Sequence, residues 1–424
     1  MREMKDSGIE WIGEIPADWT LQRGKTIFAQ RLTKGNQSEI LLAATQKYGM
    51  LPQSEVEGVV QVKEDADLQQ FRTVHKKDFV ISLRSFQGGF EYSQYEGVCS
   101  PAYQVFYNTN PICHNYYRLL FKSDGFIQKM NSMTVGIREG KNIQYSDFAN
   151  SLIPVPPINQ QQRIADYLDR KCSQIDTIIA RQQEVIEKLK AYKLSVITEA
   201  VTKGLNPDVP MKDSRVEWIG EVPGNWTKVK LKNICQFING DRSSNYPSPN
   251  EYVDNGIPFL GADSLCGRYV DVTQSKKITK EKYHSMGGAK IQKWDILYTL
   301  RGSTIGKNAI ATFDEGTVAS SLMVIRPISL IPEYLLYWLN SEEEFQQRQS
   351  YINGSTAPNL SAENVGSFVM FLPPALEQRK IADYLDTKCA EIELTMLKKQ
   401  VLIDQLGNYK NSLIYEVVTG KKEV

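Results

Sequence analysis

The sequence predicts an α+β fold with an internal two-fold pseudo-repeat: two β-rich globular domains separated by a long antiparallel two-helix coiled coil. Three observations predict it. A short signature block occurs twice, a block with heptad spacing occurs twice, and the stretches between them hold short β-type runs. Repeats of this kind decide architecture before any local reading does.

The signature comes first. MKDSGIEWIGEIPADWT begins at Met4 and MKDSRVEWIGEVPGNWT begins at Met211, with 12 of 17 positions identical. Its mixture of aromatic residues and proline is too irregular for a helix. It reads as a strap whose Trp11 and Trp19, or Trp218 and Trp226, pack on the adjoining domain.

The second block opens at Pro156-Pro157 and at Pro373-Pro374. Proline belongs ahead of or in the first helical turn, so each pair marks a helix start. One apolar seam runs Leu168, Cys172, Ile175, Ile179, Gln182, Ile186, Leu189, Lys193, Val196, Ala200. The other runs Leu385, Cys389, Ile392, Met396, Lys399, Ile403, Leu406, Lys410, Leu413, Val417. Steps of four and three alternate, which is a coiled-coil stripe that needs a partner. Gln182 with Lys399, and Lys193 with Lys410, put polar residues at the same steps and read as register devices. Each helix of about 40 residues is about 60 Å long. Antiparallel pairing within the chain satisfies both stripes, and parallel pairing between two chains is the alternative.

Between these blocks lie roughly residues 21–155 and 228–372, the second ten residues longer. FVISL, YQVFY, DILYTL and SLMVIRP read as strands separated by Gly, Asn and Pro turns. EYLLYWLNSEEEFQQRQ reads as one helix. DFVISLR at 78–84 aligns with DILYTLR at 295–301. The expected domains are therefore 1–155, 156–204, 205–372 and 373–424. A duplicated fold with divergent middles suits one kind of task performed on two different targets.

Composition narrows the function classes. The 424 residues carry 50 Lys and Arg against 49 Asp and Glu, a formal net charge of +1. That balance does not announce a nucleic-acid binder, although phosphate contacts need only a local basic face. No run reaches 18 apolar residues and no apolar stretch follows Met1, so neither a membrane span nor a signal peptide is expected. Cys99, Cys113, Cys172, Cys235, Cys266 and Cys389 make no CxxC pair, which suits a reduced, cytoplasmic protein without structural zinc.

Catalytic motifs fail on inspection. GSTIGKN from Gly302 to Asn308 looks like a phosphate loop, but three residues separate its glycines and Asn308 follows the lysine. A phosphate loop needs four, and a Ser or Thr after the lysine for magnesium. A β-turn is the better reading. NPIC at 110–113 lacks the aromatic residue of an adenine-methylase motif. His75, His114 and His284 have no ligand at metal-binding spacing. Paired carboxylates are not placed by any pattern, and no G-x-S-x-G elbow occurs.

With these blocks in view, the chain resembles the specificity subunits of type I restriction–modification enzymes. EWIGEIPADW and EWIGEVPGNW carry the resemblance, as do the helix starts PPINQQQRIADYLD and PPALEQRKIADYLD. GIPFLGADSL (256–265), DILYTLRGSTIGK (295–307) and NGSTAPNLSAENV (353–365) extend it over essentially the whole length. The first copy departs from the pattern where RSFQGG at 84–89 replaces RGSTIGK, and where NQQQR replaces the EQR form at Glu377-Gln378-Arg379. The resemblance implies two target-recognition domains reading a bipartite, asymmetric duplex DNA site. It implies repeated helices that pair antiparallel and dock two modification (methyltransferase) subunits, with restriction (translocase and endonuclease) subunits completing the complex. S-adenosylmethionine, ATP and magnesium then belong to those partners, and this chain carries no cofactor and no catalytic residue.

Reading DNA needs polar side chains at base edges and basic ones on phosphates. In the second domain Arg301, Ser303, Thr304 and Lys307 follow a strand and are held by Gly302 and Gly306. Lys276 and Lys277 open a basic run continued by Lys280 and Lys282. That run reads equally as phosphate contact or as a solvated loop. Asn353, Ser355 and Thr356 lie in a polar stretch. In the first domain Arg84, Ser85 and Gln87 hold the place corresponding to Arg301, with Lys47 and Tyr48 as further candidates. Arg84 and Arg301 could equally brace Asp78 and Asp295. An adaptor with two interaction modules and no DNA contact is the alternative function, and a standalone nuclease a distant third.

Overall fold

The computed structural model describes residues 2–35, 39–56, 68–83, 89–133, 143–241, 243–352 and 359–424. The chain divides into two compact units, Met1–Gln183 with Gln400–Val424, and Glu184–Lys399. The first long helix, Ile158–Lys203, and the second, Ala375–Val418, each contribute one part to either unit. Among the described residues no helix is long and apolar enough to cross a membrane.

In the first unit four antiparallel strands lie in the order Phe28–Arg31, Gln104–Asn108, Phe79–Ile81, Phe90–Tyr92. In the second the order is Cys235–Asn239, Leu322–Pro327, Ile296–Thr299, Asn308–Ile310. The two sheets share one topology despite their divergent sequences. Beside its copy the second unit has a four-stranded sheet of Tyr252–Val253, Lys276–Ile278, Ile257–Leu260 and Thr317–Val318, in which the last two strands run parallel. Among the described residues of the first unit, the ribbons Leu42–Thr45 with Gly49–Pro52 and Arg72–Val74 with Gly97–Cys99 meet through a matching parallel bridge between Leu41 and Val98.

One acid braces each sheet. Asp78 and Asp295 are 2% and 1% exposed and lie just ahead of strands Phe79–Ile81 and Ile296–Thr299. The residue before each has a left-handed backbone, φ 75° at Lys77 and 76° at Trp294. Asp78 takes a bidentate pair from Arg31 (2.7 and 3.0 Å) and the His75 amide (2.9 Å). Asp295 takes Arg326 (2.8 and 2.7 Å) and the Gln292 amide (2.8 Å). The expected alternative is corrected for Arg301, since Asp295 is paired with Arg326 and Arg301 goes to Asn359, while Arg84 lies outside the described residues.

Each variable domain enters and leaves through a hydrogen-bonded gate. Thr20–Arg23 pairs antiparallel with Leu152–Val155, and Thr227–Lys230 with Val369–Leu372. Directly after each gate comes the double proline and then the long helix. Gln161 and Gln378 explain that motif. Each is buried, donates to the first proline's carbonyl at 2.8 Å (Pro156, Pro373), and accepts an amide from its own domain (Cys113, 2.9 Å; Ile331, 3.0 Å).

The straps are short hairpins, Met4–Asp6 with Glu14–Pro16 and Met211–Asp213 with Glu221–Pro223. Trp19 and Trp226 are fully buried as expected, whereas Trp218 is exposed. Trp19 Nε1 donates to Gln160 Oε1 at 2.8 Å, and Gly420 presses on Pro16 and Trp19. The start of one long helix thus meets the end of the other, and further along Lys410 binds Asp176 at 2.7 Å. The helices run antiparallel in this unit. They do so in the second unit too, where Gly204 faces Glu377 and Trp226 while Lys193 binds Glu393. Every seam position is buried or half-buried. Lys193 and Lys410, at the same step of the two seams, reach acids at matching places on the facing helix, which is a register device.

EYLLYWLNSEEEFQQRQ forms two helices, Pro332–Trp338 and Glu342–Tyr351, where one was expected. Ser341 is the reason: it adopts an extended backbone ahead of the second helix and its hydroxyl donates to Trp338 O.

Glu343, in that second helix, is 4% exposed and lines an apolar recess with Val201, Ile219, Val222, Trp338 and Phe371. Gly125 stands at the matching place in the first unit, where a methyl group would lie 2.8 Å from Tyr415 and 2.9 Å from Trp11. Burial raises the Glu343 carboxyl from its ordinary 4.5 to about 7, against a hydrogen bond from Trp218 that lowers it. A raised carboxyl pKa means the folded state holds the proton more tightly, so the associated stability is full below about pH 4.5 and is lost as pH rises through 7. Glu343→Gln should therefore stabilise the protein at pH 8 by about 1–3 kcal/mol and lose that advantage by pH 4.5. Urea unfolding of both proteins across this range checks it, and a pH-independent difference would contradict it.

Candidate nucleic-acid interface

The candidates of the second unit gather on one hairpin. Strand Ile296–Thr299 turns back into strand Asn308–Ile310 through residues 300–307. Gly302 and Gly306 have φ of 86° and 88°, a conformation that side chains with a Cβ resist. Thr299 and the loop exchange bonds, Gly306 N to Thr299 O at 2.9 Å and Thr299 N to Lys307 O at 2.8 Å. A strand follows GSTIGK where a phosphate loop would start a helix, as the turn reading expects.

Arg301, Ser303 and Thr304 are exposed at the tip. Arg301 Nε donates to Asn359 Oδ1 at 3.1 Å. Asn359 adjoins the polar stretch holding Asn353, Ser355 and Thr356, which lie outside the described residues. Lys307 is half-buried, and its ammonium donates to Ala262 O at 3.1 Å, so its charge is partly committed to the fold. Lys276 sits over the Tyr252 ring at 4.5 Å and Lys277 donates to Asp254 O at 3.2 Å. Lys282 is paired with Glu251 at 2.8 Å, and that lysine with Ser248 pulls the Glu251 carboxyl down to about 2. The basic run is thus tethered by its own neighbours at several points. In the first unit Arg84, Ser85 and Gln87 lie outside the described residues. Lys47 is exposed in the turn between Leu42–Thr45 and Gly49–Pro52, 5.0 Å over the Tyr48 ring.

Two anchors escaped the sequence reading. Asp169 and Asp386 occupy the same place in the two IADYLD segments, and each ties its helix to the adjoining domain. Arg118 reaches Asp169 at 2.7 Å from helix His114–Phe121. Asp386 takes a bidentate pair from Arg268 and a 2.7 Å bond from Tyr337. The two arginines come from unrelated elements, so only the recurrence of the aspartate in IADYLD could have signalled them.

Among the described residues no cluster of His, Cys, Asp or Glu suits a metal ion. What the hairpin offers is a set of exposed polar side chains, Arg301, Ser303 and Thr304, on a turn closed by the backbone bonds of Thr299.

Residues 4–188 and 223–404 each match the family described as the type I restriction modification DNA specificity domain. The chain belongs to this family. It carries two DNA specificity domains, which contain the two sheets described above. The EcoBI specificity subunit of Escherichia coli is 28% identical over 308 residues, covering 70% of this chain and 64% of that subunit. The chain thus aligns with just under two thirds of that relative's length. The putative MjaX specificity subunit of Methanocaldococcus jannaschii is 25% identical over 446 residues, covering 97% of this chain and 96% of its own. The fold agrees with a solved chain of a type I R-M system at a TM-score of 0.73 and 16% identity, over 96% of this chain and 99% of that one. The HsdS subunit from Thermoanaerobacter tengcongensis follows at 0.52 and 15%, over 96% and 98%.

Proposed function

We propose that this specificity-family chain is the non-catalytic recognition subunit of a type I restriction–modification complex. Each variable domain reads one half of a bipartite, asymmetric duplex, and the paired helices dock two modification subunits and the restriction subunits. The observation that carries this is the duplication itself: one sheet topology is kept in both specificity domains while the sequences built on it diverge. A constant frame with two different surfaces suits two different half-sites.

Docking is supported by apolar side chains exposed off the seam, Ile178, Leu402 and Tyr409 in the first unit and Val185, Tyr192 and Leu394 in the second. Exposed apolar groups clustered on a helix face favour a protein partner. Methyl transfer to adenine requires the base to leave the duplex, and that step, with S-adenosylmethionine, ATP and magnesium, falls to the partners.

Mapping methylated adenines in cells that hold the modification partner, with and without this chain, tests the reading. A two-part motif that vanishes with the chain is expected. In vitro, the assembled complex should lose roughly a thousandfold in duplex affinity between 50 and 200 mM salt as phosphate contacts are screened. Salt-independent binding, or none, would favour an adaptor.

A further inference from the structure

Matching interior positions of the two copies carry different residues. In the first unit they are Ile81, Phe126 and Met130, which belong to one apolar core and are each at most 2% exposed. In the second the aligned residues are Tyr298, Glu344 and Arg348. The alignment is fixed on both sides: by Asp78 and Asp295 ahead of the strand, and by Ser123 and Ser341 ahead of the helix. Both serine hydroxyls donate to the carbonyl three residues back, Leu120 at 2.6 Å and Trp338 at 2.7 Å.

Tyr298 and Glu344 are 0% and 2% exposed, and the Tyr298 hydroxyl donates to Glu344 Oε1. Arg348 Nε donates to both Glu344 oxygens, at 3.0 and 3.2 Å. Burial raises the Glu344 carboxyl pKa and Arg348 opposes it. Such a buried pair is a poor source of stability, because apolar residues of similar volume in its place are often neutral or stabilising. At these three positions the first unit keeps the same sheet with apolar residues, so the sheet does not require the polar set there.

What it touches is the hairpin. A methyl group on Gly306 would lie 2.6 Å from Arg348 Nε and 2.8 Å from its Cζ, so the guanidinium supports the backbone of that glycine. We propose that Arg348, held by Glu344 and Tyr298, is a positioning residue that sets the hairpin from which Arg301, Ser303 and Thr304 reach the duplex. Recognition of the second half-site then depends on it and recognition of the first does not. This rests on the recognition function proposed above.

The test uses the full chain with its modification partner. Arg348→Met installs the first copy's residue. The triple variant Tyr298→Ile, Glu344→Phe, Arg348→Met installs the whole apolar set and leaves no unpaired buried charge if the single variant folds poorly. Both should exchange the Gly306 and Lys307 amides faster, with the Leu297 and Val324 amides unchanged. Both should discriminate bases in the second half-site at least roughly tenfold less well, since displacing a reading group by about 1 Å has effects of that order. First half-site preference should stay as in the parent. Unchanged hairpin exchange in the triple variant would overturn the inference, and so would unchanged second-half discrimination or equal loss at both halves. A parent complex with no sequence preference refutes the recognition reading and the DNA part of this inference with it; hydrogen exchange then decides the hairpin part alone.

Discussion

Exchanging residues 228–372 for the matching stretch of a relative is expected to rewrite one half of the methylated motif and leave the other as it was. The gate strands are the reason. Thr227 lies opposite Leu372 and Lys230 opposite Val369, so the exchanged piece begins and ends on neighbouring hydrogen-bonded positions. Gln378 and the double proline lie outside it, and Gln378 needs only a backbone amide from the incoming domain. A replacement that keeps an amide in that place keeps the junction. The contacts at risk are those of Asp386 with Arg268 and Tyr337, and of Arg379 with Glu333, since Arg268, Tyr337 and Glu333 leave with the domain. The methylome of cells carrying the exchanged chain reads the outcome directly. A swap that altered both halves of the motif would show that the two domains do not read independently.

Removing a brace should have the largest effect on stability. Asp295→Ala strands a half-buried guanidinium and the Gln292 amide together, and breaking a buried pair from one side costs about 3–5 kcal/mol. Asp78→Ala should do the same through Arg31 and the His75 amide. Denaturant unfolding followed by residue-resolved hydrogen exchange separates the two, because each variant should lose protection in its own sheet. A loss below about 1 kcal/mol would show that solvent replaces the arginine freely.

The long helices were legible because their signal is periodic and local. Leu168 through Ala200 and Leu385 through Val417 announce one face each, and burial follows that face along both helices. The aspartates were legible as matched positions, but their partners were not. Arg31 lies 47 residues from Asp78 and Arg326 lies 31 from Asp295, on opposite sides in sequence. Strand pairing brings them together, and nothing local announces which strands pair. Arg301 was nearer in sequence and went instead to Asn359. The Tyr298–Glu344–Arg348 set was hidden for the same reason, since its tyrosine and its acid are 46 residues apart. Ser341 could have been read as a helix start, because Ser followed by three glutamates is an N-terminal pattern.

The gates also bear on chain entropy. A domain tied at its neck is a loop already closed by the frame, and closure entropy grows only with the logarithm of loop length. The ten extra residues of the second middle stretch raise that cost by under ~0.1 kcal/mol. Domains of quite different size can therefore hang from the same pair of strands with almost no change in the work of closing them. Length is then nearly free to vary, and the demand on a domain is concentrated at the few residues that meet the frame.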